Sequence, residues 1–147
     1  MKPRRVFLVE DNEADANLVR EVFRFLSMPC EISHYTTVQE GVAAAAREGQ
    51  GDRAIPDLIL VDHNLPGGDG LEVLAAIAMN PHLREVPKAI LSSFVLPEEM
   101  KRAERLGTHC VISKPASLHE FLNEVGSEIS SLLNYTRASA AGGERPS

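Results

Sequence analysis

Four short runs of apolar residues constrain the fold more than any other feature of the sequence. They are Val6-Phe7-Leu8-Val9, Leu58-Ile59-Leu60-Val61, Ala89-Ile90-Leu91 and Cys110-Val111-Ile112. Each run is continuously apolar rather than alternating, which is typical of strands covered on both faces of a parallel sheet. A fifth, weaker run lies at residues 31–35. These runs predict a parallel sheet buried between two layers of other structure.

Segments with helical spacing and helix start signals separate the apolar runs. Asn12, Thr37, Asp69 and Ser117 are candidate N-caps, and Pro97 suits the first turn of a further helix. The order strand–helix therefore occurs five times. This alternation predicts an α/β domain, a (βα)5 doubly wound parallel sheet.

Length and composition limit the number of domains and the kinds of partner. The 147 residues fit one domain, predicted at 1–136, followed by a tail at 137–147 without apolar anchors that we expect to be disordered. With 15 basic and 21 acidic residues the net charge is −6, which argues against nucleic acid as a partner. No apolar run approaches the roughly 20 residues of a membrane helix. Cys30 and Cys110 lie far apart in the sequence, so we expect no disulfide scaffold and two reduced thiols, as is usual in the cytoplasm.

Charged and hydroxyl-bearing residues follow the apolar runs. Glu10 and Asp11 follow the first run, and Asp62, Ser92 and Lys114 each follow a later one. Ligands of open parallel sheets bind outside the carboxyl ends of the strands, so these side chains are expected to converge there. Taken singly, each is an ordinary turn, cap or surface residue; the hypothesis of a site depends on all of them together.

The predicted cluster has the composition of a divalent cation site beside a phosphoryl site. Three neighbouring carboxylates repel one another unless a cation intervenes, and Mg²⁺ prefers oxygen ligands together with a phosphate oxygen. Lys114 supplies a positive charge and Ser92 a hydroxyl donor. A carboxylate is also a competent nucleophile toward phosphorus. Asp62, alone at the end of the middle strand, is the best candidate for that nucleophile.

With these residues in place, the sequence resembles the receiver domains of two-component response regulators over residues 4–134. The matching segments are Val6-Phe7-Leu8-Val9-Glu10-Asp11-Asn12, Leu58-Ile59-Leu60-Val61-Asp62, Leu65-Pro66-Gly67-Gly68-Asp69-Gly70, Ile90-Leu91-Ser92-Ser93 and Ser113-Lys114-Pro115. The resemblance implies a flavodoxin-like strand order, 2-1-3-4-5. The run Asn12–Asp15, the Asn80-Pro81 step and the long last helix are similar to single-domain regulators that partner bacterial phytochrome kinases.

The resemblance implies a role for each residue of the cluster. Asp62 would accept the phosphoryl group from a kinase phosphohistidine. Asp11, Asp62 and the backbone carbonyl of Asn64 would bind Mg²⁺, with Glu10 helping directly or through water. Ser92 would swing inward to the phosphoryl oxygen, and Lys114 would pair with the same group.

The resemblance also sets expectations for the loops around the cluster. It implies a cis bond between Lys114 and Pro115, and it implies that the loop beside the phosphoacceptor is shaped by Pro66, Gly67 and Gly70. The position three before the lysine is usually Tyr or Phe in the family, but here it is Val111. A valine cannot make the large ring rotation that aromatic members use. His63, as a lone loop histidine, is expected to be exposed.

The predicted function is a phosphoacceptor response regulator that catalyses only its own phosphoryl transfer and hydrolysis and signals through protein contacts. Its partners would be a sensor histidine kinase, an unidentified protein target and, through the face of the last two helices, a second copy. A Mg²⁺ phosphohydrolase with an aspartate nucleophile is the alternative, but it needs an acid–base Asp where Asn64 stands. A flavin carrier needs a phosphate loop where residues 10–13 are acidic, and an unphosphorylated scaffold does not explain the intact acidic set.

Overall fold

A five-stranded parallel sheet forms the centre of the protein. The computed structural model describes the backbone of residues 2–142 and the side chains of residues 2–134. The strands are β1 (Arg4–Val9), β2 (Cys30–Tyr35), β3 (Leu58–Asp62), β4 (Lys88–Ser92) and β5 (Cys110–Ser113). They pair in the order β2-β1-β3-β4-β5, parallel throughout. The predicted α/β class, (βα)5 doubly wound topology and 2-1-3-4-5 order are confirmed.

Helices follow the strands in chain order. They are α1 (Glu13–Phe25), α2 (Val38–Arg47), α3 (Gly70–Ala78), α4 (Pro97–Arg105) and α5, which begins as Leu118–Glu120, passes through a π-helical segment (Phe121–Val125) and continues over Gly126–Gly142. The backbone of α5 thus extends into the segment 137–147 that the sequence predicts as a disordered tail. Residues 143–147 lie outside the described residues, and the domain boundary at residue 136 stays a prediction.

Side-chain caps fix the helix starts that the sequence predicts. Asn12 accepts a hydrogen bond from the backbone N–H of Asp15 at 3.0 Å, and Ser117 accepts one from the N–H of Glu120 at 3.1 Å. Thr37 caps α2 in the same way. Each cap satisfies one of the N–H groups that a helix start leaves without an internal partner.

Alternate residues of the buried strands supply two separate cores. One lies under α1 and α5 and contains Val6, Leu8, Leu58, Leu60, Val19, Phe23, Phe121, Val125 and Ile129. The other lies under α2, α3 and α4 and contains Phe7, Val9, Ile59, Val61, Val38, Leu71, Leu74 and Ala103. The apolar stripe of α5 is therefore used in core packing, except for Leu118, which is 56% exposed. Within residues 2–142, no helix combines the length and apolar character needed to cross a bilayer.

Candidate functional site

Three carboxylates meet where β1 and β3 end. Val9 pairs with Val61 across these adjacent parallel strands, so Glu10 and Asp62 leave the sheet side by side. Carboxylate oxygens of Glu10, Asp11 and Asp62 lie within 4.8 Å of one another. Glu10 and Asp62 are buried, whereas Asp11 is exposed. The predicted convergence of these three residues is confirmed as geometry.

Lys114 places its ammonium group among the acidic residues. Its Nζ donates hydrogen bonds to Glu10 Oε1 at 2.7 Å, Asp15 Oδ2 at 2.9 Å and Asp62 Oδ2 at 3.0 Å. Burial alone would lower the pKa of Lys114. The hydrogen bonds with Glu10 and Asp15 outweigh this effect, so the pKa is raised above its usual value. The side chain is therefore a permanently charged counter-ion of the carboxylates.

Sequence reasoning missed two contacts of this cluster. Asp15 lies in the first turn of α1, and the short step from the end of β1 to that helix would have pointed to its closeness. His34 contacts the backbone carbonyl of Glu10 through Nε2 at 2.7 Å. Its strand runs beside β1, but no ligand spacing in the sequence marks it.

The cluster carries more negative charge than one lysine neutralises. The pKa of Glu10 is raised from 4.5 to about 8, first by burial and then by its hydrogen bond and repulsion with Asp62, against the opposing effect of Lys114. A carboxyl group with so high a pKa gains from a nearby cation. The oxygen donors and this excess charge fit a hard divalent ion.

The loop after β3 is folded closely against the phosphoacceptor candidate. Asn64 N–H donates to Asp62 Oδ1 at 3.1 Å, and residues 64–65 and 68–69 form a small antiparallel ribbon. A Cβ at Gly70 would lie 2.3 Å from the backbone oxygen of Asp62, so only glycine permits this approach. Gly67 adopts a φ of +85°, in the region that favours glycine. Both glycines are therefore required by the local backbone.

The Ser92 hydroxyl is held by its own loop rather than by the carboxylates. Ser92 is buried at the end of β4, and its Oγ donates to the backbone oxygen of Phe94 at 3.2 Å. Asn64 Nδ2 approaches the same hydroxyl at 3.5 Å, a long contact. Among the described side chains no hydrogen bond joins Ser92 to Glu10, Asp11 or Asp62. An inward swing would therefore have to break the bond to Phe94.

Two expectations about neighbouring residues are wrong. The Lys114–Pro115 bond is trans, the isomer that X-Pro bonds favour in general. His63 is 5% exposed rather than solvent-facing, because the first turn of α4 lies over the loop and Glu99 reaches its ring. Val111, at the position of the aromatic switch residue, is partly buried and packs against the core under α4.

Comparisons with known proteins agree with this geometry. Residues 6–126 match the response regulator receiver domain family. Response regulator Rcp1 of Synechocystis sp. is 33% identical over 127 residues, 84% of each chain. Polar-differentiation response regulator DivK of Brucella anthropi is 33% identical over 129 residues, 85% of this chain and 95% of that protein.

Solved structures show the same likeness. The phosphorylated cyanobacterial phytochrome response regulator RcpA superposes with a TM-score of 0.79 and 34% identity, over 90% of this chain and 95% of that one. The Mn²⁺-bound form of response regulator Rcp1 gives a TM-score of 0.74 and 32% identity, over 89% and 95%. The chain thus belongs to the response regulator receiver family and is a phosphoacceptor response regulator of a two-component pathway.

Proposed function

We propose that Asp62 is the residue of this chain that receives the phosphoryl group. The observation that carries the proposal is its position: Asp62 ends the central strand with one oxygen on Lys114 and the other on the Asn64 N–H. These contacts hold both carboxylate oxygens in place, one beside a positive charge and the other on a backbone N–H. Such positioning, together with charge stabilisation, supplies most of the catalysis in phosphoryl transfer.

Mg²⁺ is the metal that this proposal assigns to the acidic cluster. Glu10, Asp11 and Asp62 would hold it, together with the backbone carbonyl of Asn64. Two observations support the assignment: the carboxylates lie within 4.8 Å of one another, and the pKa of Glu10 is raised to about 8. The related Rcp1 has been crystallised in a Mn²⁺-bound form. When bound, the ion would neutralise charge that develops on the transferring oxygens.

Lys114 and Ser92 would complete the binding of the phosphoryl group. Lys114 now shares its protons among three carboxylates, and a phosphoryl group on Asp62 would offer it a more highly charged partner. Ser92 would exchange its bond to Phe94 for one to a phosphoryl oxygen.

The proposal is tested by labelling the chain with acetyl phosphate in the presence of Mg²⁺. Asp62→Asn should abolish hydroxylamine-sensitive phosphate while circular dichroism shows an intact fold. Asp52→Asn, which removes the same charge from an exposed loop, should label like the parent. Borohydride reduction followed by peptide mass spectrometry should locate the modification at residue 62. Undiminished labelling of folded Asp62→Asn would contradict the role of Asp62.

A phytochrome-type histidine kinase is the proposed donor. The support is similarity: RcpA is described as a cyanobacterial phytochrome response regulator and is 34% identical to this chain. Phosphotransfer from a purified bacterial phytochrome kinase should be at least about tenfold faster than transfer from an unrelated sensor kinase. Equal rates from both donors would contradict this choice of partner.

The remaining parts of the proposal concern output and setting. The chain would act on no free metabolite, because Asn64 stands where an aspartate phosphohydrolase needs its acid–base residue. It would signal through protein contacts and form a homodimer on the α4–α5 face, where Met100 and Leu118 are 40% and 56% exposed. Sedimentation of the parent and of Leu118→Glu tests the dimer.

A cytoplasmic setting fits the free thiols of Cys30 and Cys110.

A further inference from the structure

A buried histidine and a glutamate connect the phosphoacceptor loop to helix α4. His63, the residue after Asp62, is 5% exposed, and its Nε2 lies 2.5 Å from Glu99 Oε2. Glu99 belongs to the first turn of α4, 36 residues further along the chain. The pair therefore joins two elements that flank the site, and no role in phosphate or metal binding accounts for it.

Glu99 uses its second oxygen to organise the start of the same helix. Glu99 Oε1 accepts a hydrogen bond from the backbone N–H of Leu96 at 2.9 Å. The carboxylate thus caps α4 and holds His63 at the same time. A displacement of the helix start would move both contacts together, because both end on one rigid carboxylate group.

The orientation of the His63 ring depends on this single side-chain contact. Among the described residues, Nδ1 of His63 is buried without a hydrogen-bond partner. The backbone of His63 is fixed separately, since its carbonyl accepts the N–H of Gly70 at 2.8 Å. The loop can therefore stay in place while the ring gains or loses Glu99.

The segment between Ser92 and Glu99 is held at both ends in this structure. At its beginning, Ser92 Oγ bonds the backbone oxygen of Phe94. At its end, Glu99 bonds Leu96 and His63. Binding of the Ser92 hydroxyl to a phosphoryl group would remove the first restraint, and the second would then oppose movement of the segment. Val111 offers no aromatic ring to couple to that movement.

We propose that the His63–Glu99 pair holds residues 93–97 in the unphosphorylated arrangement and that His63 is a positioning residue for the switch. Phosphorylation would shift the segment and weaken the pair, releasing the start of α4. By reciprocity, loss of the pair makes the phosphorylated arrangement easier to reach. This proposal rests on the assigned role of Asp62, because the signal begins there.

The test measures binding of beryllofluoride, a phosphoryl mimic, in saturating Mg²⁺ by ¹H–¹⁵N NMR titration. His63→Leu replaces the ring with an apolar side chain of similar size and removes the hydrogen bond to Glu99. Its affinity should rise about fivefold, the lower range of allosteric coupling. Glu99→Gln keeps a capping oxygen and should shift affinity in the same direction by less. Glu98→Gln, an exposed carboxylate in the same turn, is the matched control and should not change.

A merely structural role would lower stability without changing the ratio of beryllofluoride affinity to Mg²⁺ affinity. Parent-like beryllofluoride affinity in folded His63→Leu or Glu99→Gln would overturn the proposal. So would additive effects in the double variant, because residues acting through one shared contact are not additive. If His63→Leu fails to fold, Glu99→Gln, whose side chain is 26% exposed, decides alone. Failure of the parent to bind beryllofluoride would instead overturn the proposed function, and this proposal with it.

Discussion

Two lysines at opposite ends of the strands, Lys88 buried and Lys114 partly buried, have different partners. Lys114 follows β5 at the carboxyl edge and is bonded to three carboxylates. Lys88 begins β4 at the amino edge, is 3% exposed, and donates from Nζ to the backbone oxygens of Leu83 at 3.1 Å and Val86 at 2.7 Å. One lysine thus balances charge, and the other satisfies neutral carbonyl groups.

The difference distinguishes a lysine that stabilises the fold from a lysine whose partners can be exchanged. Burial lowers the pKa of Lys88, since neutral carbonyls do not repay the desolvation of its charge. The pKa of Lys114 is raised by its acidic partners despite burial. Carbonyl partners remain fixed by the backbone, whereas carboxylate partners can be exchanged for a metal ion or a phosphoryl group. We therefore expect substitutions at the two edges to affect different properties.

The largest effect is expected from Lys88→Met. This change removes the lysine donor of the Val86 oxygen, at about 1–3 kcal/mol, whereas the Leu83 oxygen keeps the backbone N–H of Val86 at 3.2 Å. The free energy of unfolding should fall by about 1–3 kcal/mol in urea titrations, while acetyl phosphate labelling of the folded fraction stays at the parent rate. Lys101→Met, on the exposed surface of α4, is the control. A Lys88→Met variant that is as stable as the parent but is labelled more slowly would show that Lys88 serves the site rather than the fold.

The next effect concerns the pH dependence of the metal-free protein. The pKa of Glu10 is about 8 when folded against 4.5 when unfolded, so its contribution is fully present below 4.5 and is lost as pH rises toward 8. Between pH 6.5 and 8, where the lowered pKa of His109 no longer matters, stability in EDTA should fall by about 1 kcal/mol per pH unit. Lys88 acts in the opposite sense, because a lowered lysine pKa makes stability rise toward pH 10.5.

Glu10→Gln provides the control for this pH dependence. The amide has a similar shape but does not titrate, so urea midpoints of Glu10→Gln should be nearly flat from pH 6.5 to 8. A parent protein as flat as this variant would show that Glu10 is ionised throughout the range. Lys114 would then face a fully ionised Glu10 over this range, and its surroundings would differ even more from the neutral carbonyl partners of Lys88.

The sequence predicted the functional edge of the sheet better than the structural edge. Continuous apolar runs identify buried strands, and parallel strands place Glu10, Asp62 and Lys114 at one edge whatever the details of the loops. Lys88 was not predicted to be buried, because lysine almost never is unless it finds partners. Its carbonyl partners depend on the turn before β4, which has no local signature.

The errors near the site have a similar origin. Burial of His63 depends on where α4 lies, which is a tertiary contact across 36 residues. The bond between Lys114 and Pro115 differs from the family expectation, and an isomer of an X-Pro bond is not encoded by spacing or hydropathy. The contact of Asp15 with Lys114 depends on the entry angle of α1. Patterns along the chain therefore located the groups, and packing decided how they meet.

Mg²⁺ should raise the free energy of unfolding by binding at the carboxyl ends of the strands, and Lys88 should not affect this increase. For a dissociation constant of about 1 mM, 10 mM Mg²⁺ adds about 1.4 kcal/mol to the free energy of unfolding. Asp11→Asn should lose most of this increment, because Asp11 is the exposed member of the cluster and its ligand atom is removed. Asp52→Asn should keep it, as should Lys88→Met relative to its own metal-free value. Equal Mg²⁺ stabilisation of Asp11→Asn and the parent would contradict the ligand assignment.

The smallest effect, and the one with the least intuitive sign, is expected from Asp62→Asn in EDTA. The substitution removes one hydrogen bond to Lys114, which keeps Glu10 and Asp15 as partners, and it also removes the repulsion that raises the pKa of Glu10. An amide oxygen can still accept the Asn64 N–H. Metal-free Asp62→Asn should therefore be more stable than the parent by about 0.5–1 kcal/mol in urea titrations at pH 8, which corresponds to less than one pKa unit of interaction between the two carboxyl groups. Asp52→Asn controls for net charge. A loss of stability would mean that Asp62, like Lys88, stabilises the fold. A gain is expected of a carboxylate used for phosphoryl transfer, because its repulsion with Glu10 is relieved only when a metal ion binds.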